Sequence, residues 1–582
     1  MKNSALLIII LSIFIFTSSC FDRQTYITQE QHPSSQSEIT MTSQLETTFM
    51  NVNDTVNLAF RGQELFTTNL IKQFYAINQH IPVWTNNMKP NRYSREAMKL
   101  FAKSAFYGLD TAFYQFSSLS NLYKQLKNEN LKDRDKKALE YEILMTHNCF
   151  KIMSHLHSGL IQPDSSVNGI KQNPYPKSFS KNLALFINND RLTEGILDLQ
   201  PNSYEYRFLQ AGLENFIKTV ILNKDSLNIP NPKTDSSEAY EATKKVLIAN
   251  NYYPSDEEKT QQHINHVINN VTNIFSDTKT YSDDLSPKLD KDTAFFNGLK
   301  RFQKANGLHP DGVIGNNTHN ALHINNMQRF KQIAINLERL RWQKKRPKKY
   351  VYVNIPSYKL RILENGWIKK TYRVVVGAVY TETPELNGEM EYFITNPSWN
   401  VPHSISSREI LPKIIADSTY LARNNYKILD KNRQPVLEKI DWSKVNRENF
   451  NYSIQQGSGK GNALGTIKFI FPNPYNVYIH DTQSKSKFKQ EIRAYSHGCM
   501  RLENPVELAK YIVESEANIS TDSLMSIMNR GERKQINLNE PIPVFVRYIT
   551  CEANNKGEIT FYKDIYGKDE ELKEQLFASS RI

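Results

Sequence analysis

Tyr350-Val351-Tyr352-Val353-Asn354-Ile355, Tyr358-Lys359-Leu360-Arg361-Ile362-Leu363 and Thr371-Tyr372-Arg373-Val374-Val375-Val376-Gly377 are short runs rich in β-branched and aromatic residues, separated by Pro or Gly turns. That composition predicts strands of an antiparallel sheet or small barrel. Further runs extend it at Tyr392-Phe393-Ile394, Ile467 to Phe471, Val477 to His480, Ile542 to Tyr548 and Ile559 to Tyr562. Between His403 and Ser453 a charged stretch of helical character interrupts the strands, a common place for a lid.

One predicted strand ends in His480-Asp481-Thr482, and further on stands Ala494-Tyr495-Ser496-His497-Gly498-Cys499-Met500-Arg501-Leu502. A thiol becomes a good nucleophile near neutral pH when a base or a positive neighbour raises its thiolate fraction, and imidazole is suited to that task. Gly498 lets the backbone approach a reacting carbonyl, and amides around Gly498 and Cys499 could face the oxyanion of a tetrahedral intermediate. Acyl transfer is the reaction class these residue types support. For an arbitrary Cys and His pair the plainer reading is a buried thiol beside a satisfied histidine.

The string Ser496-His497-Gly498-Cys499-Met500-Arg501, with His480 upstream and Asn462-Ala463-Leu464-Gly465 before it, resembles the L,D-transpeptidase catalytic family. Lys468-Phe469, Pro472-Asn473, Tyr478-Ile479-His480-Asp481-Thr482 and Asn504-Pro505 with Leu508-Ala509 are similar to its large, scaffold-bearing periplasmic members. The resemblance implies that Cys499 attacks the L-centre carbonyl of the third residue of a peptidoglycan tetrapeptide stem, holds a thioester and releases D-alanine. An amine of a second stem then gives a 3-3 cross-link; water gives L,D-carboxypeptidase activity, and a D-amino acid gives exchange. It implies His480 as general base, with His497 as the alternative, and an imidazole oriented by a backbone carbonyl. It further implies Ser496, His497, Gly498 and Arg501 as pocket and oxyanion residues, Tyr478 and Asn462 as substrate contacts, and 403–453 as a capping subdomain. No metal or organic cofactor is implied. A sortase-like site lacks Ser-His-Gly before the thiol, and a papain-type peptidase places its cysteine before its histidine. A non-catalytic peptidoglycan-binding lipoprotein is the rival from another class.

The whole chain has 582 residues, 39% hydrophobic and 23% charged, which excludes wholesale disorder and leaves room for several domains. Its formal charge of +13 suits an anionic membrane face or a carboxylate-bearing wall polymer as well as nucleic acid. The N-terminus decides between them. Ala5 to Phe16 is apolar except for Ser12, too short to span a bilayer, and ends in Thr17-Ser18-Ser19-Cys20. This reads as a secretory signal that resembles a lipobox, with Cys20 as lipidation site, a membrane anchor as partner and the cell envelope outside the cytoplasm as location; nucleic acid is then not an expected partner. Phe21 to Met50, rich in Ser, Thr and Gln, reads as a tether. Lipidation of Cys20 leaves Cys149, Cys499 and Cys551, of which Cys149 and Cys551 sit in apolar surroundings and read as core residues.

From Leu58 to Phe216 apolar residues recur at helical spacing, as in Leu65, Leu70, Ile71, Phe74 and Leu139, Ile143, Leu144, and predict an all-α region. In 293–322 a helix is expected to stop at Asn306-Gly307, Asp311-Gly312 to turn, and Asn317-Thr318 to cap the next helix. Phe302-Gln303, Gly307-Leu308, Asp311-Gly312, Ile314-Gly315 and Thr318 resemble a peptidoglycan-binding domain. The basic run Arg341 to Lys349 reads as a solvated linker. The expected fold is therefore multidomain: signal peptide 1–19, tether 20–57, all-α scaffold 58–230, small α-helical binding module 238–324, and a mostly β catalytic domain 346–569 with a helical cap at 403–453.

Overall fold

The computed structural model describes residues 35–50, 57–60, 63–163, 173–220, 222, 228–230, 236–253, 291–343, 346–438, 440–459 and 461–577. The expected signal sequence and Cys20 lie outside them. Among the described residues no helix is long and apolar enough to cross a membrane.

The N-terminal region packs helices around Arg134–Ser158, a helix of 25 residues buried along most of its length. Thr68–Ile77, Arg92–Ala102, Phe116–Leu126 and Ser178–Asn188 surround it, each turning an apolar stripe inward. Buried Glu142 orders the entry to this bundle. Its carboxylate accepts from the Val83 and Trp84 amides at 3.0 Å and from the Thr85 and Tyr75 hydroxyls at 2.7 Å. Trp84 is thereby seated as a plug, its indole N–H donating to Thr146. Two departures from the sequence reading occur here. Leu65 belongs to a small hairpin, Leu58–Phe60 with Gln63–Leu65, rather than to a helix. The expected tether is ordered over Gln36–Met50, which forms a helix burying Met41, Leu45 and Phe49. Those three residues recur every fourth position and give even a Ser- and Thr-rich segment an apolar seam.

In the small module, Lys291–Ala305 and Asn316–Leu322 are joined by a loop built on Gln303. The Gln303 amide donates to Asp311, the Val313 carbonyl and Thr318, and its oxygen accepts from the Gly312 amide. Thr318 therefore bonds to Gln303 instead of capping its own helix, which has no side-chain cap. The helix Asn326–Arg341 follows, opened by an Asn325/Gln328 capping box, and packs against Tyr204–Thr219 and Asp569–Leu576. Among the described residues of the basic run, Arg341 and Arg346 are not solvated as a linker's would be. Arg341 is buried against Glu338 at 3.2 Å, and the Arg346 guanidinium lies 4.3 Å from the Phe545 ring centroid. The planar, weakly hydrated guanidinium tolerates such sites where an ammonium would not.

The C-terminal domain is a nine-stranded sheet. Its order is Ala494–Ser496, Trp367–Gly377, Met500–Leu502, Ile479–His480, Ile467–Ile470, Leu386–Thr395, Lys534–Arg547, Lys349–Asn354 and Lys359–Glu364. Lys359–Glu364 pairs back onto Trp367–Gly377, so eight strands close into a barrel and Ala494–Ser496 branches from it. Val351, Val353, Leu360, Phe393, Phe469, Ile479, Met500 and Val544 fill one core, to which Leu508, Ile512 and Leu524 of the following helices contribute. The sheet is mixed rather than antiparallel: Ile479–His480 runs parallel to Met500–Leu502, and Lys534–Arg547 parallel to Lys349–Asn354. Residues 481–499 supply a crossover long enough for the parallel return. The insertion opens with helical turns, His403–Ile405, a π-helical Ser406–Ile410 and Leu411–Ala416. It also contributes Tyr426–Leu429 and Ser453–Gln456, which with Trp399–Val401 make a three-stranded sheet over its own apolar cluster.

Candidate active site

Register brings the sequence-predicted residues onto one face. Ile479 lies beside Met500 and His480 beside Arg501 in the parallel pair, while Lys468 faces His480 in the antiparallel pair. Ile479, Met500 and Phe469 point into the core and are wholly buried. Side chains alternate across a sheet, so Lys468, His480 and Arg501 form a row on the opposite face. Tyr478 shares that face, its ring centroid 5.6 Å from that of His480. Its hydroxyl hydrogen-bonds to the Cys499 thiol and to Trp399 at the root of the insertion.

His480 is buried, and its Nδ1–H donates to the carbonyl of Asp481, leaving Nε2 as the acceptor nitrogen. Burial, reinforced by the positive charge of Arg501, lowers its pKa to about 4, so the ring is neutral at pH 7. Asp481 is itself held: its carboxylate accepts from the Thr466 amide and hydroxyl, the Thr482 amide and the Lys485 ammonium. Gly465 gives it room. A Cβ there would stand 2.3 Å from Asp481 Oδ2, and the glycine φ is +61°. A concavity of about 510 Å³ on this side, lined by Asp481, Lys485, Arg373 and Glu503, does not include Cys499.

Cys499 is half-buried, and burial raises its thiol pKa, opposed by hydrogen bonds from the Tyr478 amide and hydroxyl and by the charges of Lys468 and Arg501. The preceding turn is clamped by 377–383. The Ser496 carbonyl accepts from the Ala378 amide and the Thr381 hydroxyl, each at 2.8 Å. The Gly498 carbonyl accepts from Thr383 Oγ1 at 2.7 Å. In a trans peptide the next N–H points the opposite way, so the Cys499 amide is turned away from Thr383. Gly498 has φ +103°, a region costly to any residue with a Cβ. Its amide reaches the buried Ser496 hydroxyl at 3.3 Å.

Two predicted residues stand elsewhere. His497 is exposed and its Nε2 meets Glu409 of the insertion at 2.6 Å. Asn462, expected to touch substrate, is buried with both ends of its amide engaged in its own loop, accepting from the Leu464 amide and donating to the Gly457 carbonyl. That turn needs its side chain as an internal clamp. Lys468, Trp399, Glu409 and Thr383 escaped the sequence reading of the site. For Lys468 the period-2 alternation of its strand opposite His480 was an available signal; Trp399, Glu409 and Thr383 come from distant segments with none. Cys149 and Cys551 are buried free thiols whose pKa is raised by burial.

Residues 348–522 match the L,D-transpeptidase catalytic domain, 69–213 a scaffold domain, and 281–322 a peptidoglycan-binding domain. The L,D-transpeptidase match thus falls on the barrel domain that carries Cys499 and His480, and the other two matches fall on the helical region and the small module. An L,D-transpeptidase relative from Haemophilus influenzae is 34% identical over 224 residues, 38% of this chain and 45% of the relative. The chain thus matches under half the length of that protein. Among solved structures, an L,D-transpeptidase from Mycobacterium smegmatis is similar at 12% identity and TM-score 0.17, over 34% of this chain and 58% of that one. One from Xylanimonas cellulosilytica is similar at 12% identity and TM-score 0.15, over 44% and 80%.

Proposed function

We propose that this protein is a cysteine L,D-transpeptidase acting on peptidoglycan tetrapeptide stems, with Cys499 as nucleophile and His480 as general base. The observation that carries the reading is the His480 imidazole, neutral and fixed through Nδ1, on the same sheet face as the Tyr478 hydroxyl that bonds the Cys499 thiol. Nε2 takes the thiol proton as sulfur attacks the L-centre carbonyl of the third stem residue. The Cys499 amide, turned away from Thr383, faces the developing oxyanion. Collapse breaks the C–N bond, the imidazolium returns its proton to the departing D-alanine amine, and a thioester remains. The amine of a second stem then attacks, gives its proton to His480 and forms the 3-3 cross-link, regenerating the thiol. Arg501, whose charge lowers the thiol pKa, would meet a substrate carboxylate on this reading.

His497 takes no part in proton transfer on this reading; its contact with Glu409 ties the motif turn to the cap. The helical scaffold and the small module carry the catalytic domain, and Cys20 anchors the whole to the cell envelope outside the cytoplasm. Incubating the protein with purified disaccharide tetrapeptide and reading product masses tests the reading. Cross-linked dimer with loss of D-alanine is expected, absent in Cys499→Ala; tripeptide alone would mean water resolves the thioester, and unchanged substrate would reject the proposal. Labelling with a lipid precursor, lost in Cys20→Ala, tests the anchor.

A further inference from the structure

Lys468, His480 and Arg501 are laid side by side across three strands, and the charge of Arg533, at the start of the strand beyond Leu386–Thr395, acts on Lys468. Among the described residues, the side chains of Lys468, Arg501 and Arg533 have no carboxylate partner and no hydrogen bond. Lys468 is half-buried, and its Nζ lies 5.5 Å from the ring centroid of Tyr478, whose hydroxyl meets the Cys499 thiol. A half-buried ammonium beside the Arg533 guanidinium and with no carboxylate partner is disfavoured in the free protein. Burial and Arg533 accordingly pull its pKa down. An anionic group of a ligand bound at Cys499 would supply the opposing charge.

The transpeptidase reading supplies such a ligand, and the inference rests on it. In the donor stem the free carboxylate lies one residue beyond the bond that breaks, about 3.8 Å along the chain. The strand of Lys468 lies two strand spacings from that of Met500–Leu502, about 4.8 Å each, so a lysine side chain leaning back toward Cys499 spans this range. We infer that Lys468, assisted by Arg533, receives the terminal carboxylate of the donor stem and restricts cleavage to a bond followed by a single residue with a free C-terminus. A longer stem would place an amide where these cations need an anion, leaving them unpaired.

Two readouts on the full chain test this. First, donor tetrapeptide is compared with the same peptide ending in D-alaninamide. The wild type is expected to prefer the free acid about tenfold in kcat/KM, Lys468→Met to erase the preference, and Lys468→Arg to restore it. Second, Cys499 is alkylated with iodoacetate and with neutral iodoacetamide. The ratio of the two rates is expected to fall in Lys468→Met and, in the wild type, with rising salt. A preference for the free acid that survives Lys468→Met, together with an unchanged alkylation ratio, would overturn the inference. If neither peptide reacts but the alkylation ratio falls with Lys468→Met, the cationic row stands and the transpeptidase reading is what fails.

Discussion

Lowering the pH is the perturbation that most directly interrogates His480. Its pKa is depressed to about 4 by burial first and by Arg501 second, against an ordinary value of 6.5. A depressed histidine pKa means that the neutral base persists as pH falls and is lost only through the folded value. At pH 5 a base of pKa 4 is about 0.9 neutral, whereas one of pKa 6.5 is about 0.03 neutral, a roughly thirtyfold difference in competent enzyme. Burial pushes the thiol pKa up, the direction in which sulfur relies on a general base rather than on a resting thiolate. The profile of kcat/KM is therefore expected to be a broad plateau, its acidic limb near 4. The assay is the initial rate of D-alanine release from donor stem between pH 4 and 9, with circular dichroism confirming the fold at each point. An acidic limb between 6 and 7, with the fold intact, would refute the reasoning, because it would mean that the imidazole titrates at its ordinary value and that burial and Arg501 do not depress it.

Three further outcomes follow from the geometry. In Gly498→Ala the new Cβ would sit 3.3 Å from the Glu382 carbonyl at φ +103°, a strain of about 1–3 kcal/mol; we expect kcat to fall by about a hundredfold with a small change in melting temperature, and near-normal turnover would refute the placement of this turn. Burial holds His147 at a pKa of about 3 and pushes His155 down as well, so both are neutral in the fold and their stabilising effect, complete above 6.5, drains as pH falls. By linkage His147 alone removes about 2 kcal/mol by pH 5, which urea titrations at pH 7 and 5 would detect, and equal midpoints would count against it. Glu491 of the catalytic domain accepts from the His309 amide at 2.9 Å and the Asn317 side chain at 2.6 Å in the small module. In Glu491→Ala hydrogen exchange at His309 should quicken while Arg134–Ser158 keeps its protection; unaltered exchange at His309 would show that this contact does not hold the module in place.

Much of the fold was legible because its elements carry strong local signals. The runs at 350–377 and 467–480 became strands close to where their β-branched residues predict them, and Lys291–Ala305 stops beside Asn306-Gly307. Weak local patterns misled. Gln36–Met50 has three apolar residues diluted by Ser and Thr, and the strands Tyr426–Leu429 and Ser453–Gln456 are four residues each inside a charged stretch. Arg341 and Arg346 read as solvated because a sequence counts charges without showing the aromatic rings and carboxylate that receive them.

The sequence by itself determined the chemistry available: a thiol behind Ser-His-Gly, two imidazoles, an arginine two residues on and the strands to carry them. Only the tertiary structure decided which imidazole faces inward and which meets Glu409, that Asn462 is consumed by its own loop, and that Lys468 joins the row. The reason is that residue type is local, whereas the face on which a side chain emerges depends on register between strands distant in the chain, and a shift of one residue would reverse it.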